Sequence, residues 1–167
     1  MNQPTSKFPM HRAIPFAMLF LFIFSSLHFL YSNTRDTSIE KLLIDTVTVA
    51  PSVWLINRIS PEITAEAIGP KIKSARGSLT VLNGCEGFET IFLLIAAILA
   101  YKSSWLNKLK GLLAGTIMIY LLNQFRIVSL FYLFLSDRKL FNLVHGYIGP
   151  AIIILIGSLF FMGWISY

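Results

Sequence analysis

The chain is poor in charge and has a single cysteine. Asp, Glu, Lys and Arg make up 13% of its 167 residues, about half the share of an ordinary soluble domain. So few charges cannot clothe a soluble enzyme or keep a disordered tail solvated, and both classes are excluded. One cysteine rules out an internal disulfide framework and a Cys-rich metal site. Internal repeats and low-complexity tracts are also absent. What abounds is apolar: residues of the AVILMFWYC set reach 55%, and mean hydropathy is +0.69. A chain of this length has too much surface for its volume to hide that fraction from water as a monomer. The net charge of +6 does not indicate nucleic-acid binding, because the basic residues are scattered and flank apolar runs, as membrane topology requires. The expected partner is the lipid bilayer.

Four apolar runs organise the chain into one integral membrane domain over residues 1–167. The fold class is an all-α polytopic membrane protein of about four transmembrane helices, expected at 13–31, 88–106, 111–135 and 143–166. The first run, Ala13 to Tyr31, follows Lys7, His11 and Arg12. A cleaved signal peptide is the alternative here. The run is longer than an h-region of about 7–15 residues and no A-x-A site follows, which favours an uncleaved helix. The second run, Phe88 to Tyr101, reaches Leu106 if Lys102 snorkels. Residues 32–87 are of mixed charge and are expected to form an outward segment. Its Ile39–Ile59 stretch reads as interfacial helix. Its Ala65–Val81 stretch reads as a short β-hairpin turning at Ala75-Arg76-Gly77-Ser78.

Lys7 and Arg12 before the first run, and Lys102, Lys108 and Lys110 between the second and third, stand without acids. By the positive-inside rule both segments face the cytoplasm, and residues 32–87 and 136–142 face outward.

Three polar residues interrupt this apolar frame. Arg126 lies inside the third run, where an arginine costs about 2.5–3.5 kcal/mol on insertion scales and is by default functional. Asn123, three residues earlier, shares its helix face, and Thr116 extends that stripe. Cys85 sits in Asn83-Gly84-Cys85-Glu86-Gly87-Phe88-Glu89, between glycines and just before a helix whose positive end favours thiolate. His145 opens the fourth run. His11 and His28 carry no comparable signal.

At 1.5 Å per residue, Cys85 stands roughly 25 Å above Lys102, Arg126 roughly 24 Å above Lys110, and His145 roughly 28 Å above Trp164. Three residues from three helices therefore converge on one layer near the outer surface. A free thiol of pKa about 8.5 is only a few per cent thiolate at neutral pH. An adjacent guanidinium stabilises the thiolate or a tetrahedral oxyanion, and a histidine moves protons to and from the leaving and incoming groups. The trio suits cysteine acyl transfer. One Cys and one His are too few ligands for a metal, and no cofactor is expected.

At these residues the chain resembles the exosortase/archaeosortase family of membrane cysteine transpeptidases. The resemblance rests on Gly84-Cys85-Glu86-Gly87, on Asn123-Gln124-Phe125-Arg126-Ile127 and on His145-Gly146-Tyr147, and covers Ile39 to the C-terminus. By this resemblance the chain looks like a compact variant, with fewer spans than most members. It has Glu86 where the family often has a small residue.

The resemblance implies Cys85 as nucleophile, Arg126 as stabiliser of the thiolate or oxyanion, and His145 as general acid/base. Asn83, Glu86 and Asn123 are candidates for support, and Asn142 is a further one. The implied partners are exported proteins with a C-terminal signal made of a short motif, a transmembrane helix and a basic cluster. They would be cut at the outer face of the bacterial cytoplasmic membrane through a Cys85 thioester. Gly111, Ala114 and Gly115 offer a face where a substrate helix can approach closely. Two other readings compete. One is a non-catalytic membrane subunit in which Arg126 pairs structurally with Glu86 or Glu89. The other is a channel with Arg126 lining a pore.

Overall fold

The computed structural model describes residues 10–35, 37–82 and 84–166, with side chains from residue 13 onward. The side chains of Lys7, His11 and Arg12 lie outside the described residues. The first helix, α1 (Met10–Ser32), carries Phe16, Phe20, Phe24 and His28 at four-residue spacing, each ring stacked on the next. It packs along α3 (Phe88–Ala100). Then comes α2 (38–59), which starts and ends α-helical but is π-helical over Leu42–Val49. A wider turn of this kind displaces backbone carbonyls from their regular partners. Here the Val47 carbonyl accepts from Tyr120 Oη at 2.9 Å.

The expected hairpin is a three-stranded antiparallel meander, β1 (Glu66–Ile68), β2 (Lys71–Ser74) and β3 (Gly77–Thr80), in that order. Gly69, at φ +57°, turns the chain between β1 and β2 and lets the extra strand form. The pair Ile72–Leu79 occupies one face and is buried, while Lys71, Lys73, Ser78 and Thr80 point away.

Three of the helices differ in extent from the sequence reading. The second run does not continue to Leu106. Tyr101 leaves helical geometry and Ser104 Oγ accepts the Asn107 N–H at 3.4 Å, so a new helix, α4 (Trp105–Ser136), starts there rather than at 111. Lys102 therefore lies in the loop. The end of α3 is closed instead by Lys108, whose Nζ donates to the Leu99 carbonyl at 2.7 Å. The outward loop expected at 136–142 is mostly helix. Asp137 Oδ1 accepts from Lys139 N and Leu140 N at 2.8 and 3.0 Å, which starts α5 (Arg138–Ser166) five residues before 143.

The chain is a helical membrane protein. Among the described residues, three helices are long and apolar enough to cross a bilayer: α1 from Ala13 to Ser32, α4 and α5. The 13-residue α3 is about 20 Å long, short of the ~30 Å hydrocarbon core. On α4, Leu109, Leu113, Ile117, Leu121 and Phe125 form an exposed stripe at four-residue spacing, and Gly111, Gly115, Ile119, Asn123 and Ile127 form a buried one. Within the apolar run Asn123 and Gln124 face inward, and the outward stripe is apolar, as lipid solvent demands.

Two apolar cores lie along α4. Near residues 127–131, Ile127, Val128, Leu130 and Phe131 pack with α2 and the sheet. Near residue 119, Ile119 packs with Ile91, Leu94 and Ile98 of α3 and Ile153 of α5. Asn123, Gln124 and Arg126 occupy the seam between them.

The glycine face offered above to a substrate helix is already filled from within. A Cβ on Gly111 would come within 2.5 Å of Trp164 Nε1, and one on Gly115 within 2.4 Å of Leu94 Cδ2 and 2.8 Å of Phe160. Small residues there admit side chains of α3 and α5, and only Ala114 of the three remains exposed.

Candidate active site

The site begins where the sheet hands the chain to α3. Val81 N donates to the Pro70 carbonyl at 2.8 Å, and Cys85 N donates to the Leu82 carbonyl at 3.0 Å, which draws the connection into a turn. Gly84 and Gly87 adopt φ +90° and +81°, a left-handed geometry that other residues take only with strain. Cys85 lies between them, half-buried against the core that includes α2 and the sheet.

Asn123, fully buried, joins the cysteine to α4. Its Nδ2 donates to the Cys85 carbonyl at 3.2 Å, and its Oδ1 accepts from Arg126 Nη1 at 3.4 Å. Gly87 permits this approach, since a Cβ there would lie 2.8 Å from Asn123 Cγ. Arg126 in turn lies over Gly149 of α5, where a Cβ would stand 2.9 Å from its Nε, and that Nε is buried without a hydrogen-bond partner. His145, one turn before Gly149, is half-buried with its ring parallel to Phe141 at 5.4 Å. The Arg126 charge reaches both Cys85 and His145.

Burial pushes the Cys85 thiol pKa up. The Arg126 guanidinium pulls it back, as does the bond to Leu82, and the Glu86 carboxylate adds to the rise. Glu86 is 3% exposed. Its Oε1 accepts from Tyr31 Oη of α1, and its Oε2 is buried without a partner.

Of the residues singled out from sequence, Cys85, Asn123 and Arg126 are joined by hydrogen bonds. His145 is not joined to them: it is stacked on Phe141, and among the described residues no hydrogen bond links it to Cys85. Glu86 is tied to α1. Asn83 lies outside the described residues, and Asn142 and Glu89 are exposed. Among the described residues neither Glu86 nor Glu89 forms an ion pair with Arg126, and no three His, Cys, Asp or Glu side chains group as metal ligands.

Sequence reasoning gave no role to Tyr31, Ser52, Tyr120 or Gln124. Gln124 accepts from Ser52 Oγ at 2.7 Å and so secures α4 to α2 beside the site. Its signals in the sequence were its polarity within an apolar run and its place in Asn123-Gln124-Phe125-Arg126-Ile127.

Gly87→Ala is expected to destabilise the fold by about 1–3 kcal/mol, the range for a residue held in a strained backbone region, and to push Asn123 off the Cys85 carbonyl. Thermal unfolding in detergent checks the first effect. A wild-type melting curve would remove the role assigned to this glycine.

Apolar helices enclosing a half-buried thiol, an amide and an arginine at the seam of two cores define a polytopic helical membrane protein with a cysteine-centred polar layer. The model of the transmembrane exosortase family (Exosortase_EpsH) matches residues 6–163, and the chain belongs to that family. Membership gives it a membrane transpeptidase or protein-sorting role in general terms. No curated protein and no solved structure matches it.

Proposed function

We propose that the protein is a cysteine transpeptidase that cuts the C-terminal sorting signal of exported proteins at the outer face of the bacterial cytoplasmic membrane, with its N-terminus in the cytoplasm. The signal is a short motif followed by a transmembrane helix and a basic cluster. Cys85 Sγ attacks the scissile carbonyl, and the thiol proton passes to His145. The oxyanion of the tetrahedral intermediate is held by the Arg126 guanidinium. Collapse of the intermediate breaks the C–N bond, His145 returns the proton to the leaving amine, and an acyl thioester remains on Cys85. An acceptor nucleophile, deprotonated by His145, then attacks the thioester and frees the thiol.

The observation that carries this reading is the side chain of Asn123. It ties the cysteine backbone to the arginine across two elements, and so supports a joint role for Cys85 and Arg126. The non-catalytic alternative draws less support, because Arg126 takes an amide partner and no carboxylate.

The test is co-expression with an exported protein that carries such a signal, followed by mass measurement of the product and of the enzyme. The expected result is a substrate shortened at the motif and an enzyme adduct that hydroxylamine removes. A substrate of unchanged mass in the presence of accumulated enzyme overturns the proposal.

A further inference from the structure

The first helix, α1, is in sequence an ordinary membrane anchor, and the chemistry above does not use it. Yet its last turn reaches the site. Tyr31 packs its ring on Phe88 and Phe92 of α3, at 5.7 and 5.6 Å between centroids. From there its hydroxyl donates to Glu86 Oε1. The carboxylate so held is almost fully buried, and its second oxygen has no hydrogen-bond partner. A buried acceptor left unpaired costs about 1–3 kcal/mol, more when it carries charge. A group retained at that cost directly after the candidate nucleophile calls for a role. Glu86 acts electrostatically on both Cys85 and Arg126.

We propose that Tyr31 and Glu86 are a positioning pair that restrains the reactivity of the Cys85 thiol in the empty enzyme. This rests on reading Cys85 as the nucleophile. Tyr31 fixes one carboxylate oxygen and thereby the side chain as a whole. The negative charge is kept beside the thiol, where it opposes formation of a second negative charge. The unpartnered oxygen is the point at which a donor brought by the substrate, a peptide N–H for example, lifts the restraint. The charged and titratable groups facing the pair are Arg126 from α4, Glu40 from α2, and Arg35 just after α1. Of these, only Arg126 and Glu86 act on Cys85 itself, and they act in opposite directions.

Because the chain has one cysteine, alkylation by a small maleimide reports on Cys85 alone and needs no substrate. Glu86→Gln keeps the shape and removes the charge. Its alkylation at neutral pH is expected to be severalfold faster, up to about tenfold, with the rate–pH profile displaced to lower pH. One unit of thiol pKa is about a tenfold change in thiolate. Tyr31→Phe is expected to change the rate in the wild-type background and to have no effect in the Glu86→Gln background, since its influence runs through the carboxylate.

An unchanged or slower rate in Glu86→Gln overturns the restraint, and equal effects of Tyr31→Phe in both backgrounds overturn the pairing. If Glu86→Gln does not accumulate, Tyr31→Phe alone still decides: a wild-type profile for it overturns the proposal. A failure of processing by the wild-type enzyme would count against the transpeptidase reading, and the alkylation profiles would be unaffected by it.

Discussion

Replacing Cys85 by alanine is expected to stop cleavage of a co-expressed substrate while the protein still accumulates in the membrane. The site tolerates the change because the group that Asn123 binds is the Cys85 carbonyl, which alanine keeps. The turn closed by Cys85 N and the Leu82 carbonyl is likewise independent of the side chain. Only a half-buried sulfur atom is lost, an effect of about 1 kcal/mol or less on stability. Activity has no such reserve. The chain has no second cysteine to form a thioester, and removing a nucleophile from a protease site costs about 10⁶ in turnover. Quantitative immunoblotting of substrate and enzyme together measures both halves of the prediction. Full processing by this variant would falsify the acyl-transfer mechanism.

The second large effect is at Arg126. Arg126→Ala is expected to lower processing by about 10²–10³, the loss associated with removing one donor to a developing oxyanion. Arg126→Lys should recover only part of it, because an ammonium keeps the charge but not the planar fork that reaches Asn123 and the reacting carbonyl at once. The same substitution affects the empty enzyme. The guanidinium lowers the Cys85 thiol pKa against its burial, so its loss leaves less thiolate at neutral pH and alkylation of Arg126→Ala should slow. Accumulation separates this account from a purely structural one. An arginine inside a membrane helix costs about 2.5–3.5 kcal/mol to insert, so a variant without it should accumulate at least as well as the wild type. If Arg126→Ala fails to accumulate and Cys85→Ala processes normally, the arginine is a packing residue and the enzyme reading is wrong.

Much of this architecture was legible in the chain before any contact was known. Apolar runs announced helices because a membrane leaves the backbone few other ways to satisfy its hydrogen bonds. A constant rise per residue then sorted side chains by height. Of the residues so ranked, Cys85 and Arg126 are joined through Asn123, while His145 is stacked on Phe141. At one end, Trp164 Nε1 donates to the Asn107 carbonyl at 3.1 Å and its ring packs against Tyr101. At the other, Asn123 reaches Cys85 and Arg126 lies over Gly149. Helix ends were less legible. Ser104 and Asp137 begin helices through side-chain caps two or three residues beyond where the apolar runs end, so the apolar pattern alone misplaced both starts.

By itself, then, the sequence determined that this is a multi-pass helical membrane protein with a single thiol and an arginine set along an apolar helix. Those properties depend on composition and on distance along a helix, which are local. Tertiary structure decided which faces meet. It turned Gly111 and Gly115 toward Trp164, Leu94 and Phe160 and so closed them to an incoming helix. It also brought Tyr31 to Glu86 across 55 residues. No periodicity encodes that pairing, because it depends on how α1 rotates against α3, and rotation is settled only when both helices bury their aromatic faces together.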